Sequence, residues 1–223
     1  MKIHDNGDNS GCPDGPLDLL RDEALSHFDG VPESQRDMPS ALPYLSFIRF
    51  TRPTELTRGM LEPSMCLVLQ GRKKVLIGSQ ISHYGRGSYV LSAIDMPVSG
   101  QVSEASLAEP YLGIRIALAP REIAAQIIEH KLTVPKNSPP RAAAYVEAAD
   151  AELQDAFLRL ARLLKKPRDL AALAPLVKQE ILYRLISAKD GGLLGQTVLA
   201  HHQEKGVNQA IHWIKTNYAE PMH

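Results

Sequence analysis

The spacing of apolar residues changes period partway along this chain, and that change restricts the fold more than any other feature. From residue 44 to 118, short apolar, β-branched and aromatic clusters alternate with Gly and Pro. They predict strands at Leu45–Thr51, Met65–Gln70, Lys73–Ile77, Ile81–Tyr84, Ser88–Ile94, Val98–Ala105 and Tyr111–Leu118. Gly71-Arg72, Gly78-Ser79 and Gly85-Arg86-Gly87 fall between them, where a tight turn needs a residue that accepts positive φ. Beyond Leu118 the period becomes helical. Pro120 opens a helix running to about Leu132, since proline is tolerated in a first helical turn. Leu153, Phe157, Leu160 and Leu164 share one helical face, and Pro167 closes that helix. Leu173, Leu176, Val177, Ile181 and Leu185 form the next face, with Leu182, Tyr183 and Ile186 as a second apolar side.

Strands followed by helices make an α+β chain and exclude a wound α/β sheet. Many short strands with tight turns point to a cupin-like β-barrel (jelly roll), followed by a helical segment. The division expected is an acidic leader with a short helix at 1–40, the barrel at 41–118, a helical dimerisation segment at 119–203, and a further helix in 204–223. The leader helix is predicted from Leu17, Leu20, Ala24, Leu25 and Phe28, with Gly30 and Pro32 closing it. Residues 1–13 read as disordered, and the prolines at 32–43 and 133–141 read as loops. Leu193, Leu194, Val198 and Leu199 suggest a short helix. Val207, Ile211, Ile214 and Tyr218 form a last apolar stripe.

Charge argues against a free-standing nucleic-acid module. The 223 residues hold 25 Lys and Arg against 25 Asp and Glu, whereas phosphate binding calls for a basic excess. The acids crowd residues 1–40, which leaves the remainder net positive. No apolar run is long enough to span a membrane, and the start lacks a basic region followed by an apolar stretch. Cys12 and Cys66 make no disulfide framework, which fits a reducing cytoplasm.

Chemistry-bearing motifs are sparse. A metal-dependent cupin enzyme needs clustered His and carboxylate ligands, commonly opening with His-X-His on one strand. The strand region contains His83 alone, read as an ordinary surface or hydrogen-bonded residue. His201 and His202 are adjacent, so on a helix they point about 100° apart. Neither a metal site nor a cofactor is expected. Cys66 sits in an apolar strand, where it is a core residue or an effector-contacting or redox-sensing thiol. Gln70-Gly71-Arg72-Lys73-Lys74 reads as a hairpin turn with exposed flanks, and no aromatic residue interleaves to stack bases.

Several ordered segments resemble one branch of the arabinose-regulator (AraC) type transcription regulators. Glu62-Pro63-Ser64-Met65-Cys66-Leu67-Val68-Leu69-Gln70-Gly71-Arg72-Lys73-Lys74-Val75 resembles the strand–turn–strand hallmark of their N-terminal domain. The likeness continues in Gly87 to Gly100, Glu104-Ala105-Ser106, Pro110 to Ile116, Leu173 to Leu176 and Glu180 to Leu185. Ala210 to Ile214 and Asn217 to Pro221 resemble the start of the family's C-terminal helix-turn-helix domain. The resemblance implies a sensor domain that binds an unknown small-molecule effector and forms a homodimer. DNA would be contacted only through a C-terminal domain whose two recognition helices lie beyond His223. A cupin-type enzyme and an effector-less dimerisation module are the competing readings.

Candidate effector contacts are Cys66, Val68, Gln70, Tyr89, Tyr111 and Arg115. Strand alternation groups Cys66, Val68 and Gln70 on one face and Met65, Leu67 and Leu69 on the other. Both faces are apolar, so alternation leaves open which one faces the barrel. Tyr89, Tyr111 and Arg115 offer polar groups suited to an apolar cavity. Leu182, Tyr183 and Ile186 are the candidate dimerisation residues.

Overall fold

The computed structural model describes residues 15–132, 144–188, 191–192 and 194–198. The expected polar leader at 1–13, the proline stretch at 133–141, His201-His202 and the last apolar stripe lie outside them.

Among the described residues, ten strands form two antiparallel sheets. They are β1 (Asp37–Pro39), β2 (Leu45–Phe50), β3 (Thr57–Leu61), β4 (Ser64–Gln70), β5 (Arg72–Ile77), β6 (Gln80–Gly85), β7 (Ser88–Ser92), β8 (Met96–Glu104), β9 (Tyr111–Ala117) and β10 (Ala144–Ala148). One sheet runs β1-β2-β9-β4-β7-β10 and the other β3-β8-β5-β6. The middle eight strands nest in antiparallel pairs: β2 with β9, β3 with β8, β4 with β7, β5 with β6. That nesting, with strands β2 to β9 alternating between sheets except at the central β5–β6 hairpin, is the jelly roll. The expected α+β class and jelly-roll barrel hold, with β1 and β10 added at the edges of the first sheet.

Three strands escaped the sequence pattern. β1 lies in the proline-rich stretch read as loop, and Pro39 fits there because an edge strand has a side with no donor to supply. β3 is exposed along nearly its whole length, so it has no apolar alternation to detect. β10 interrupts the segment expected to be helical and returns to pair with β7, Tyr145 opposite Leu91. The turns follow their glycines: Gly71, Gly78 and Gly87 have φ of 78°, 60° and 79°.

The helices are α1 (Pro16–Ser26), α2 (Pro120–Glu129), α3 (Ala151–Leu163) and α4 (Pro167–Ser187). α1 is no loose leader, because Leu20 and Ala24 are fully buried against the first sheet and α3. Its Asp18 also accepts from Arg86 at the β6–β7 turn at 2.6 Å. Asp150 caps α3, its Oδ1 accepting from the Leu153 amide at 2.7 Å. Pro167 ends the expected helix and opens α4 at its first turn, while Pro175 sits within α4.

Two cores result. Leu45, Phe47, Met65, Leu67, Leu69, Leu91 and Ile114 meet α1, α3 and α4 on the outer face of the first sheet. Cys66, Val68, Val75, Tyr84, Val90, Val102 and Tyr111 pack between the sheets.

Candidate functional site

The alternation that was ambiguous in sequence is resolved by these two cores. β4 turns Cys66 and Val68 toward the space between the sheets and Met65, Leu67 and Leu69 toward the helices. Cys66 pairs with Arg115 on β9 and Val90 on β7, so these positions share the inner face. Tyr111 lies on the same face two pleats along β9 from Arg115.

The six candidate effector contacts do not all converge. Cys66, Val68 and Tyr111 cluster in the inner core. Gln70 stands at the rim, its Nε2 donating to the Pro110 carbonyl at 3.0 Å. Arg115 lies toward the other end of β4 and holds Glu62 at 2.8 Å. Tyr89 faces the helices, because it pairs with Leu67, and its hydroxyl donates to Glu147 at 2.7 Å. Its neighbours make it part of the outer core, remote in orientation from the other five.

At the rim a cleft of about 800 Å³ opens, lined among others by Gln70, Arg72, His83, Tyr84, Arg86 and Glu104. Arg72 and Glu104, cross-strand partners on β5 and β8, form an ion pair at its edge at 3.1 Å, both well exposed. Tyr84 belongs to cleft and core alike, lining the first and packing with Cys66 and Tyr111 in the second. Gly71 makes the rim possible. A Cβ there would stand 2.5 Å from the Glu104 carbonyl and 3.0 Å from the Tyr111 Cα.

The polar groups of the inner core are protonated donors. Burial pushes the Tyr111 and Tyr84 hydroxyls well above the usual phenol range, and the nearby Cys66 thiol adds to the shift. Burial likewise raises the Cys66 thiol, with the Lys73 ammonium opposing it. Cys66 is therefore a thiol and no poised nucleophile. The Tyr111 hydroxyl is wholly buried with no hydrogen-bond partner of good geometry among the described residues, although the Cys66 sulfur lies beside it.

Lys73 was missed, having been read as an exposed turn flank. On β5 it shares parity with Val75 and Ile77, the two residues that strand buries between the sheets. Its Nζ lies 5.8 Å from the centre of the Tyr111 ring. The signal was present in the alternation Lys73, Val75, Ile77.

On α4, the candidate dimerisation residues separate. Leu182 and Ile186 are covered by their own chain, at 2% and 5% exposure, and Tyr183 alone is exposed, at 44%. Leu173 and Leu176 are exposed with it, and His130, which follows the last residue of α2, meets the Tyr183 ring edge-on at 5.7 Å.

Among the described residues, no three His, Cys, Asp or Glu side chains gather as a metal site would require. No helix among them is long and apolar enough to cross a membrane.

No curated protein matches the chain. Among solved structures, an apo ToxT variant from Vibrio cholerae strain SCE256 is 7% identical with a TM-score of 0.44, over 65% of this chain and 55% of that one. The AraC-like transcriptional activator CuxR is 11% identical with a TM-score of 0.36, over 81% and 63%. A second ToxT structure from Vibrio cholerae is 8% identical with a TM-score of 0.39, over 65% and 59%. The chain thus spans between 55% and 63% of the length of these structures. The N-terminal family of AraC-type transcriptional regulators matches residues 41–193, well over half of the sequence. From the strand–turn–strand around Gly71 to the helices that cover the sheet, the chain belongs to the AraC-type transcriptional regulator N-terminal family.

Proposed function

We propose that this domain senses a small molecule held between its two sheets and pairs with a second copy of itself through α4. DNA binding would belong to a C-terminal domain of the whole regulator. The observation that carries the sensing reading is the Tyr111 hydroxyl, buried in the inner core without a partner among the described residues, where Tyr84 of the same core lines the rim cleft. A buried donor left unmade costs about 1–3 kcal/mol, a cost that a ligand accepting the hydrogen bond removes. The pairing reading draws on Leu173, Leu176 and Tyr183, an apolar stripe left in solvent on one side of α4. An effector can act on such a pair only by binding one of its arrangements better than another.

A thermal-shift screen of metabolites against wild type and Gly100→Val tests the sensing reading. Gly100 shares the inner face of β8 with Val98 and Val102, and a Cβ there would touch only the Lys73 Cε, at 3.8 Å. Valine therefore fills space between the sheets without breaking the fold. A compound that shifts wild type and loses its effect in Gly100→Val supports the site. A screen in which no shift depends on Gly100 rejects it and leaves the effector-less module.

A further inference from the structure

The space between the sheets holds an unbalanced set of polar groups. Lys73 brings an ammonium on a half-buried side chain. Tyr111 brings a fully buried hydroxyl without a partner among the described residues. Cys66 adds a protonated thiol beside them. The carboxylates near this space are engaged elsewhere or exposed. Glu62 holds Arg115 at 2.8 Å, Glu104 holds Arg72 at 3.1 Å, and Asp37 is exposed at the sheet edge. Among the described residues, none forms an ion pair with Lys73; its nearest compensation is the Tyr111 ring, at 5.8 Å. Taking a cation partly out of water without a counter-charge is unfavourable, and so is burying an unpaired hydroxyl. Here the Lys73 ammonium lies 5.8 Å from the centre of the Tyr111 ring, and neither group has an acceptor among the described residues.

Of two inward glycines at this place, Gly113 is filled by its neighbours and Gly100 leaves room. Gly113 on β9 faces inward, and a Cβ there would meet the Cys66 sulfur at 3.3 Å and the Tyr111 hydroxyl at 3.4 Å. The Tyr111 side chain is laid over that bare position. Gly100 lies on the inner face of β8 in the other sheet, where a Cβ would meet the Lys73 Cε at 3.8 Å. Around these groups the walls are apolar: Val68, Val75, Val90 and Val102.

We infer that the effector is a small organic monoanion of the carboxylate class, received between the sheets by Lys73 and Tyr111. This rests on the sensing reading above and deepens it. One carboxylate oxygen accepts from the Lys73 ammonium and the other from the Tyr111 hydroxyl, while a short apolar body fits the valine walls. A neutral ligand leaves the ammonium unpaired. A dianion brings more charge than a single lysine neutralises.

Calorimetric titration with sodium hexanoate and with hexanamide separates these cases, because the two share the apolar body and differ in charge. Hexanoate is expected to bind wild type at least about 10-fold more tightly than the amide. Lys73→Met is expected to lose that preference, and Tyr111→Phe to weaken hexanoate while keeping some preference for the anion. Lys73→Met should also melt higher than wild type without ligand, since it removes an uncompensated cation; this readout guards against a merely unfolded variant. Equal affinity for acid and amide, or hexanoate binding undiminished in a folded Lys73→Met, overturns the proposal. If a neutral compound alone binds, in a manner lost in Gly100→Val, the anion proposal falls and the sensing reading stands. If no compound of either charge binds in a Gly100-dependent way, the sensing reading falls with it.

Discussion

Leu182 and Tyr183 are adjacent on α4, yet the first is 2% exposed and the second 44%. One residue of helix rotates the side chain by about 100°, which here carries it from the core to solvent. The two positions should therefore respond differently to a charge. Leu176→Glu, on the exposed side with Tyr183, is expected to leave the fold intact and shift a dimer toward monomer in sedimentation equilibrium. Leu182→Glu is expected to unfold the domain instead, because it buries an unpaired carboxylate. A monomeric wild type, or a Leu176→Glu protein that stays dimeric, rejects pairing through this face.

Gly71 is the second position at which one change should be costly. Its φ of 78° disfavours any side chain, and a Cβ would press on the Glu104 carbonyl at 2.5 Å. Gly71→Ala combines left-handed strain of about 1–2 kcal/mol with movement of the β8 backbone. Urea unfolding should show a loss of at least that size, whereas Gly78→Ala, with open space around its φ of 60°, should show the strain alone.

At the start of α3, Asp150 satisfies the Leu153 amide. Asp150→Ala should cost about 1 kcal/mol, and Asp150→Ser should recover most of it, because serine offers an oxygen at the same place. Thermal melts of the three proteins check this. No difference between Ala and Ser would show that the cap contributes nothing.

His27 gives the domain a pH dependence. Its ring stacks on Phe47 at 4.3 Å, and its Nε2 is buried without a partner among the described residues. Burial holds its pKa below the ordinary value of 6.5; Glu23 opposes the shift and Lys165 adds to it. Because the folded form resists protonation, the unfolded chain binds more protons once pH falls below 6.5. Stability is then full above that pH and declines as pH drops from 6.5 toward the folded value. Melting temperatures from pH 7.5 to 5.5 should fall for wild type and fall less for His27→Leu. Parallel slopes would assign the dependence to other groups.

Local features were legible before the fold was known. Gly71, Gly78 and Gly87 announced their turns, because positive φ is a property of one residue. Seven strands stood out, because apolar clusters a few residues long repeat between such turns. The period of three and four in Leu153, Phe157, Leu160 and Leu164 marked α3 for the same reason. β3 and β10 left no such trace: the first is an exposed edge, and the second becomes a strand by pairing with β7.

The inner face of β4 was a tertiary decision. Cys66 and Val68 look toward the other sheet, while Leu67 and Leu69 look toward helices that begin fifty residues earlier and eighty residues later in the chain. A strand covered on both faces carries no polar side to betray its orientation. The same cover, meeting Leu182 and Ile186 but not Tyr183, decided which side of α4 stays in solvent. Periodicity along one element names its faces. Which of them is covered depends on the elements that pack there, and in this chain these are distant in sequence.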